Sequence, residues 1–184
     1  MDEQHNPWTI LSQRDIYDNP WIRLTEYQVL NPSGGNGIYG KVHFKNTAIG
    51  IVAIDAEDHV WLVGQYRFAL NEYSWEIPEG GCPESTDPLE SAKRELLEET
   101  GLTATNWQLL YRVSLSNSVS DEYALIYLAE GLSQGEAEPE ETEQLHVRRV
   151  SLDEAWRMMD EGVIHDVITV TALQHIRLRR NKTT

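Results

Sequence analysis

Hydrophobic and polar positions alternate through the first third of the chain. WTILSQRDIY (8–17), WIRLTEYQVL (21–30), IYGKVHF (38–44), TAIGIVAI (47–54) and HVWLVGQYR (59–67) each read as a strand, separated by Asn, Pro, Gly and Asp. The breaks NPSGGNG (31–37) and AEDH (56–59) suit hairpin connections. From residue 87 the period becomes helical. Asp87 is a natural N-cap, with Pro88 in the first helical position, Glu90 completing a capping arrangement, and Gly101 as the stop. Leu89, Ala92 and Leu96, with Leu97 at the edge, form the apolar stripe of a helix packed on a core.

Strand patterns return in WQLLYRVSL (107–115), EYALIYLAE (122–130) and LHVRRV (145–150). Between the last two, SQGEAEPEETE (133–143) is acidic and without period, and reads as a loop. Two helices close the chain. The first starts at Ser151, where SLDE forms a capping box, carries Ala155, Trp156 and Met159 on one side, and stops at Gly162. The second runs from about Asp166, with Ile164, Ile168, Ala172 and Ile176 at i, i+4 spacing, into the basic end RLRRNK. That order of strands, helix, strands and helices predicts α+β or mixed-sheet α/β architecture, a sheet sandwiched between helices, and not a doubly wound sheet. Residues 35–40, GNGIYG, match a dinucleotide-binding fingerprint, but a strand-like KVHF follows where that motif needs a helix. A hairpin loop is expected there.

Composition narrows the partners. In 184 residues there are 30 acidic and 15 basic side chains, a formal charge of −15, which argues against nucleic acid as partner. The basic C-terminal end suits a helix dipole, so it is given no nucleic-acid role. One cysteine, Cys82, excludes an internal disulfide framework and fits a reducing compartment. No apolar run is long enough to span a bilayer and MDEQHNPW lacks signal-peptide layout, so a cytoplasmic location with no membrane partner is expected. The six histidines show no ligand spacing, and Cys82 has no assignable histidine to make it a nucleophile.

The acidity is concentrated oddly. At about 100° per residue, Glu95, Glu98 and Glu99 fall on one patch of the residue 88–100 helix, within roughly 100° of one another. A solvated face partnered by Lys93 and Arg94 would look similar. Yet like charges at i, i+3 and i+4 repel, and these sit where the helix dipole also disfavours anions. A hard divalent cation, Mg²⁺ or Mn²⁺, would reverse the sign of both effects.

The wider spacing adds to this. Gly80, Arg94-Glu95-Leu96, Glu98-Glu99 and Gly101-Leu102 resemble the Nudix box, G-x5-E-x7-R-E-U-x-E-E-x-G-U, of Nudix hydrolases. The one departure is Thr86, where the box has its first glutamate; Glu84 could substitute, or Thr86 could organise the loop. QYR (65–67), IPEGG before the box and the late EETEQLHVRRVSLDEAWRMMDEG resemble the ADP-ribose pyrophosphatase branch, which handles nucleoside diphosphate sugars.

That resemblance implies a Nudix fold, with residues 1–46 as an N-terminal β extension for dimerisation and 47–184 as the hydrolase domain. It implies that Glu95 and Glu99 hold Mg²⁺, that Glu98 holds a further ion at the catalytic centre, and that the Glu79 carbonyl completes the shell. Gly80, Arg94 and Gly101 are structural in the motif, Arg94 orienting the glutamates. Glu141 or Glu143 would position the attacking water, or Glu143 would instead bind metal. Arg67 would grip a phosphate, or pair with an acid at a sheet edge. Trp21 or Tyr27 would stack on the base, or pack a core or dimer contact. The implied reaction is Mg²⁺-dependent cleavage of a nucleoside diphosphate sugar by a homodimer, ADP-ribose to AMP and ribose 5-phosphate. ADP-glucose, GDP-mannose and dinucleotides stay open, as does a nucleotide sensor without activity.

Overall fold

The computed structural model describes residues 5–135 and 145–181. The chain divides into two compact units: residues 1–46 with 114–122, and residues 47–113 with 123–184.

The first unit is an antiparallel sheet of β1 (Thr9–Asp18), β2 (Ile22–Leu30) and β3 (Asn36–Phe44) in that order. Its turn is shorter than NPSGGNG. The Asn31 side-chain oxygen accepts from the Ser33 and Gly35 amides, each at 3.0 Å, and Gly34 takes φ +84°, a conformation that suits glycine. GNGIYG is therefore strand from Asn36 onward, a correction to the expected loop. No helix follows it, so the geometry a dinucleotide pyrophosphate needs is missing there. All ten residues of β1 are exposed, Ile10, Leu11, Ile16 and Tyr17 among them.

The second unit holds two sheets. β4 (Asn46–Ala53) runs parallel to β9 (Tyr123–Gln134) inside the order β7-β4-β9-β8, where β7 is Glu79–Pro83 and β8 is Leu102–Ser114. β5 (His59–Arg67) pairs antiparallel with both β6 (Glu72–Glu76) and β10 (His146–Ser151). Side chains alternate along β4. Ile49, Ile51 and Ala53 share a buried cluster with Ala92 and Leu96 of α1 (Pro88–Thr100). A Cβ on Gly50 would instead meet Ile168 of α3 (Val167–Asn181) at 2.6 Å, so α3 covers the opposite face and only glycine lets it approach so closely. The mixed sheet is thus sandwiched between helices, as the pattern predicts.

The helix ends follow local chemistry. Asp87 accepts from the amides of Leu89 and Glu90, and Gly101 closes α1 at φ +72°. Glu90 does not complete the reciprocal capping box; its carboxylate takes Lys93 Nζ at 2.7 Å. Ser151 caps α2 (Leu152–Asp160) through the Glu154 amide, and Gly162 lies just past its end at φ +75°. Asp166 caps α3, accepting from the Thr169 amide at 2.7 Å. Ile164 is buried in the connection before it.

Candidate active site

The site forms where β7 meets α1. β7 places Gly80 beneath the helix: a Cβ there would coincide with the carboxylate of Glu95, so the missing side chain is the space that carboxylate occupies. Arg94 ties the acids together. Its Nη1 donates to Glu98 Oε2 at 2.6 Å, while Nη2 donates to Glu95 Oε1 at 2.5 Å and to the Gly81 carbonyl at 3.1 Å. Glu99 turns inward, 3% exposed, and its Oε2 accepts the Glu79 amide at 3.0 Å. Arg94 therefore bridges Glu95 and Glu98, with the buried Glu99 carboxylate on the next turn of the same helix. Among the described residues, no three His, Cys, Asp or Glu side chains converge on a point that a metal ion could occupy in this arrangement.

Beside Glu79 lies a buried polar cluster that sequence reading missed. The Thr169 hydroxyl donates to Glu79 Oε1 and accepts the Ile77 amide, both at 3.0 Å. Glu79 keeps some exposed surface, yet its carboxyl is crowded by protein. That crowding, the negative charges of Asp166 and Glu76, and a hydrogen bond with Asp166 hold its pKa well above the usual carboxylate value, against the pull of Arg67. A raised folded-state pKa contributes stability at low pH that is lost as pH rises through that value. In the presence of a chelator, Glu79→Gln is expected to gain melting temperature on wild type as pH rises above the ordinary carboxylate range. A difference that stays flat or shrinks with pH contradicts the assignment.

Arg67, at the end of β5, makes a two-point pair with Glu76 on β6, Nε at 3.0 and 3.1 Å and Nη2 on Oε2. Glu76 is 3% exposed. Of the two expected roles, pairing with an acid is what this structure contains. Thr86 and Glu84 are both exposed in the box loop, where the Thr86 amide donates to the Pro83 carbonyl at 2.9 Å and the Cys82 thiol reaches the Thr86 carbonyl at 3.4 Å. Glu141 and Glu143 lie outside the described residues.

Trp21 and Tyr27 belong to the first unit. Trp21 is 67% exposed, whereas Tyr27 joins Trp8 and Tyr39 around a cleft of 310 Å³. Six residues apart along an extended chain is roughly 20 Å, so one protomer cannot close both on a single base.

The NUDIX domain model matches residues 44–169. The chain belongs to the Nudix hydrolase family. The Nudix box is the β7-loop-α1 unit described above. A second model, the nucleoside diphosphate sugar hydrolase N-terminal domain, matches residues 8–42. Among Nudix relatives, a methanol dehydrogenase activator of Bacillus methanolicus is 36% identical over 134 residues, 72% of each chain. An ADP-ribose pyrophosphatase of Bacillus subtilis is 31% identical over 134 residues, again 72% of each. One from Mycobacterium tuberculosis is 36% identical over 124 residues, 66% of this chain and 59% of that one. A solved structure of an ADP compounds hydrolase superposes with a TM-score of 0.85 at 22% identity, covering 96% of this chain and 95% of that one, a likeness of fold.

Proposed function

We propose that this Nudix hydrolase cleaves the pyrophosphate of a nucleoside diphosphate sugar, with ADP-ribose as substrate and AMP and ribose 5-phosphate as products. The observation that carries the reading is the Glu95 carboxylate seated over Gly80, bridged through Arg94 to Glu98 and one helical turn from buried Glu99. The match of residues 8–42 to the N-terminal domain of nucleoside diphosphate sugar hydrolases, and the two ADP-ribose pyrophosphatases among the relatives, support the substrate class.

Three glutamates on one patch of α1 fit a hard cation by donor chemistry, all oxygen and anionic. Glu95, Glu98 and Glu99, with the Glu79 carbonyl, would hold Mg²⁺ or Mn²⁺. Bound divalent cations would neutralise phosphate oxygens and lower the pKa of a coordinated water. The remaining work falls to the chain. Arg94 keeps the glutamates oriented, Glu141 or Glu143 takes the proton of the attacking water, and Arg67 offers its Nη1 edge to a phosphate while Glu76 holds Nε and Nη2. Tyr27, within its aromatic cleft, or Trp21 stacks on the base.

The exposed apolar side chains of the first unit, Ile10, Leu11, Ile16, Tyr17, Trp21 and Ile38, support a homodimer, and the single cysteine fits the reducing cytoplasm. Residues 1–46 would be the dimerisation extension and 47–184 the hydrolase domain.

The test is a panel of ADP-ribose, ADP-glucose, GDP-mannose, dinucleotides and nucleoside triphosphates with Mg²⁺, scored by released phosphomonoester. ADP-ribose is expected to give the highest kcat/KM. Turnover of no member of the panel rejects the reading and leaves a nucleotide sensor.

A further inference from the structure

The apolar stripe of α3 is interrupted by a buried hydroxyl. Thr169 is 0% exposed, between Ile168 and Ala172, where an isosteric valine would pack without a polar group to satisfy. Hydroxyls in helices usually bond back to a carbonyl of their own helix. This one leaves its helix altogether. It accepts the amide of Ile77 and donates to the carboxyl of Glu79, the two residues on either side of Pro78 in the connection from β6 to β7. The Pro78 carbonyl accepts the Ile51 amide of β4 at 2.9 Å, so the connection is held from both sides. Its last amide, that of Glu79, is the donor to Glu99 Oε2. Asp166 fixes Thr169 in turn, through the helix cap.

We propose that Thr169 is a positioning residue for the Nudix box: its hydroxyl sets the Ile77–Glu79 segment, and through the Glu79 amide sets where Glu99 presents its carboxylate. A contiguous path of hydrogen bonds runs from the N-terminus of α3 to the acid set. The proposal rests on Glu99 belonging to the cation-holding acids. Carboxylates that ligate metals are themselves oriented by hydrogen bonds from the residues behind them, and loss of such a bond weakens metal affinity by about 10- to 100-fold. Geometry alone would let the same contacts serve only to dock α3 on the sheet. The two roles differ in what they do to metal affinity.

The experiment compares the full chain carrying Thr169→Val, Thr169→Ala or Thr169→Ser with wild type. Mn²⁺ affinity is read from the electron paramagnetic resonance of the free ion, without substrate. Melting temperature is measured in chelator, and kcat, KM and the Mg²⁺ concentration for half activity are measured with ADP-ribose. Valine is expected to weaken Mn²⁺ binding by about 10- to 100-fold and raise the Mg²⁺ requirement alike. Its KM for substrate at saturating Mg²⁺ should stay within about twofold, because the hydroxyl acts on the groups that hold the cation, Glu99 and the Glu79 segment. Serine should restore the affinity, and alanine should behave as valine does should valine fail to fold. Wild-type Mn²⁺ affinity in the valine and alanine variants, or a serine variant as weak as valine, overturns the positioning role and leaves the metal reading standing. Wild-type protein that binds no Mn²⁺ overturns both, and the metal reading falls first.

Discussion

Replacing Glu99 by glutamine is expected to lower kcat by about 10³-fold or more, since a lost metal ligand forfeits several kcal/mol of transition-state stabilisation at 1.36 kcal/mol per decade. The substitution is nearly isosteric, and the side-chain carbonyl of glutamine can still accept the Glu79 amide that Glu99 accepts now. What disappears is a negative charge in an almost fully buried position. It lies one turn from Glu95 and beside Glu98, the two acids that Arg94 bridges. In chelator the variant is expected to fold and to melt close to wild type, since the near-isosteric amide keeps the Glu79 hydrogen bond. Wild type alone should gain melting temperature as Mg²⁺ is added, because ligand binding to the folded state stabilises it. Turnover within tenfold of wild type for the glutamine variant would sink the metal mechanism, whatever the substrate proves to be.

The parts of this site that were legible in the sequence are those whose geometry is local. Asp87-Pro88 and Gly101 mark a helix because capping chemistry acts within a few residues. Once that helix is placed, its period alone puts Glu95, Glu98 and Glu99 on one patch. Arg94 reaching Glu98 is likewise an i, i+4 contact. β7 was harder to see. Residues 79–83, EGGCP, have neither alternation nor β-branched side chains, and they form a strand because β4 supplies the pairing edge. GNGIYG misled in the opposite direction, its glycines suggesting a loop where β2 holds them in register. Thr169 and Asp166 are about ninety residues from the segment they hold, and nothing nearby in the chain marks them beyond a helix cap and a polar interruption in an apolar stripe. Arg67 shows a third kind of limit: its sequence context fits a phosphate grip, but its partner Glu76 arrives through the hairpin between β5 and β6.

Gly80 carries the second large expectation. Its role is not conformational freedom, since its backbone is part of β7 and its φ is not positive. The cause is contact: a methyl group at Gly80 would stand where the Glu95 carboxylate lies. Because that carboxylate is the far end of a flexible side chain, Gly80→Ala is expected to fold, with Glu95 driven out of its seat and its pairing with Arg94 disturbed. Glu98 and Glu99 remain, so the loss should be smaller than for Glu99→Gln. An activity drop of about 10- to 100-fold is expected at limiting Mg²⁺, the range found when the support of a metal ligand is removed. Part of it should be recovered as Mg²⁺ is raised, since added cation competes against the displaced geometry by mass action. The recovery distinguishes this variant from Glu99→Gln, where a ligand atom's charge is gone and no concentration of cation replaces it. Activity measured across a Mg²⁺ titration, with melting temperature as the control for folding, separates the two. Should Gly80→Ala match wild type at limiting Mg²⁺, Glu95 does not need its place over β7, and the close approach of glycine to carboxylate is packing alone.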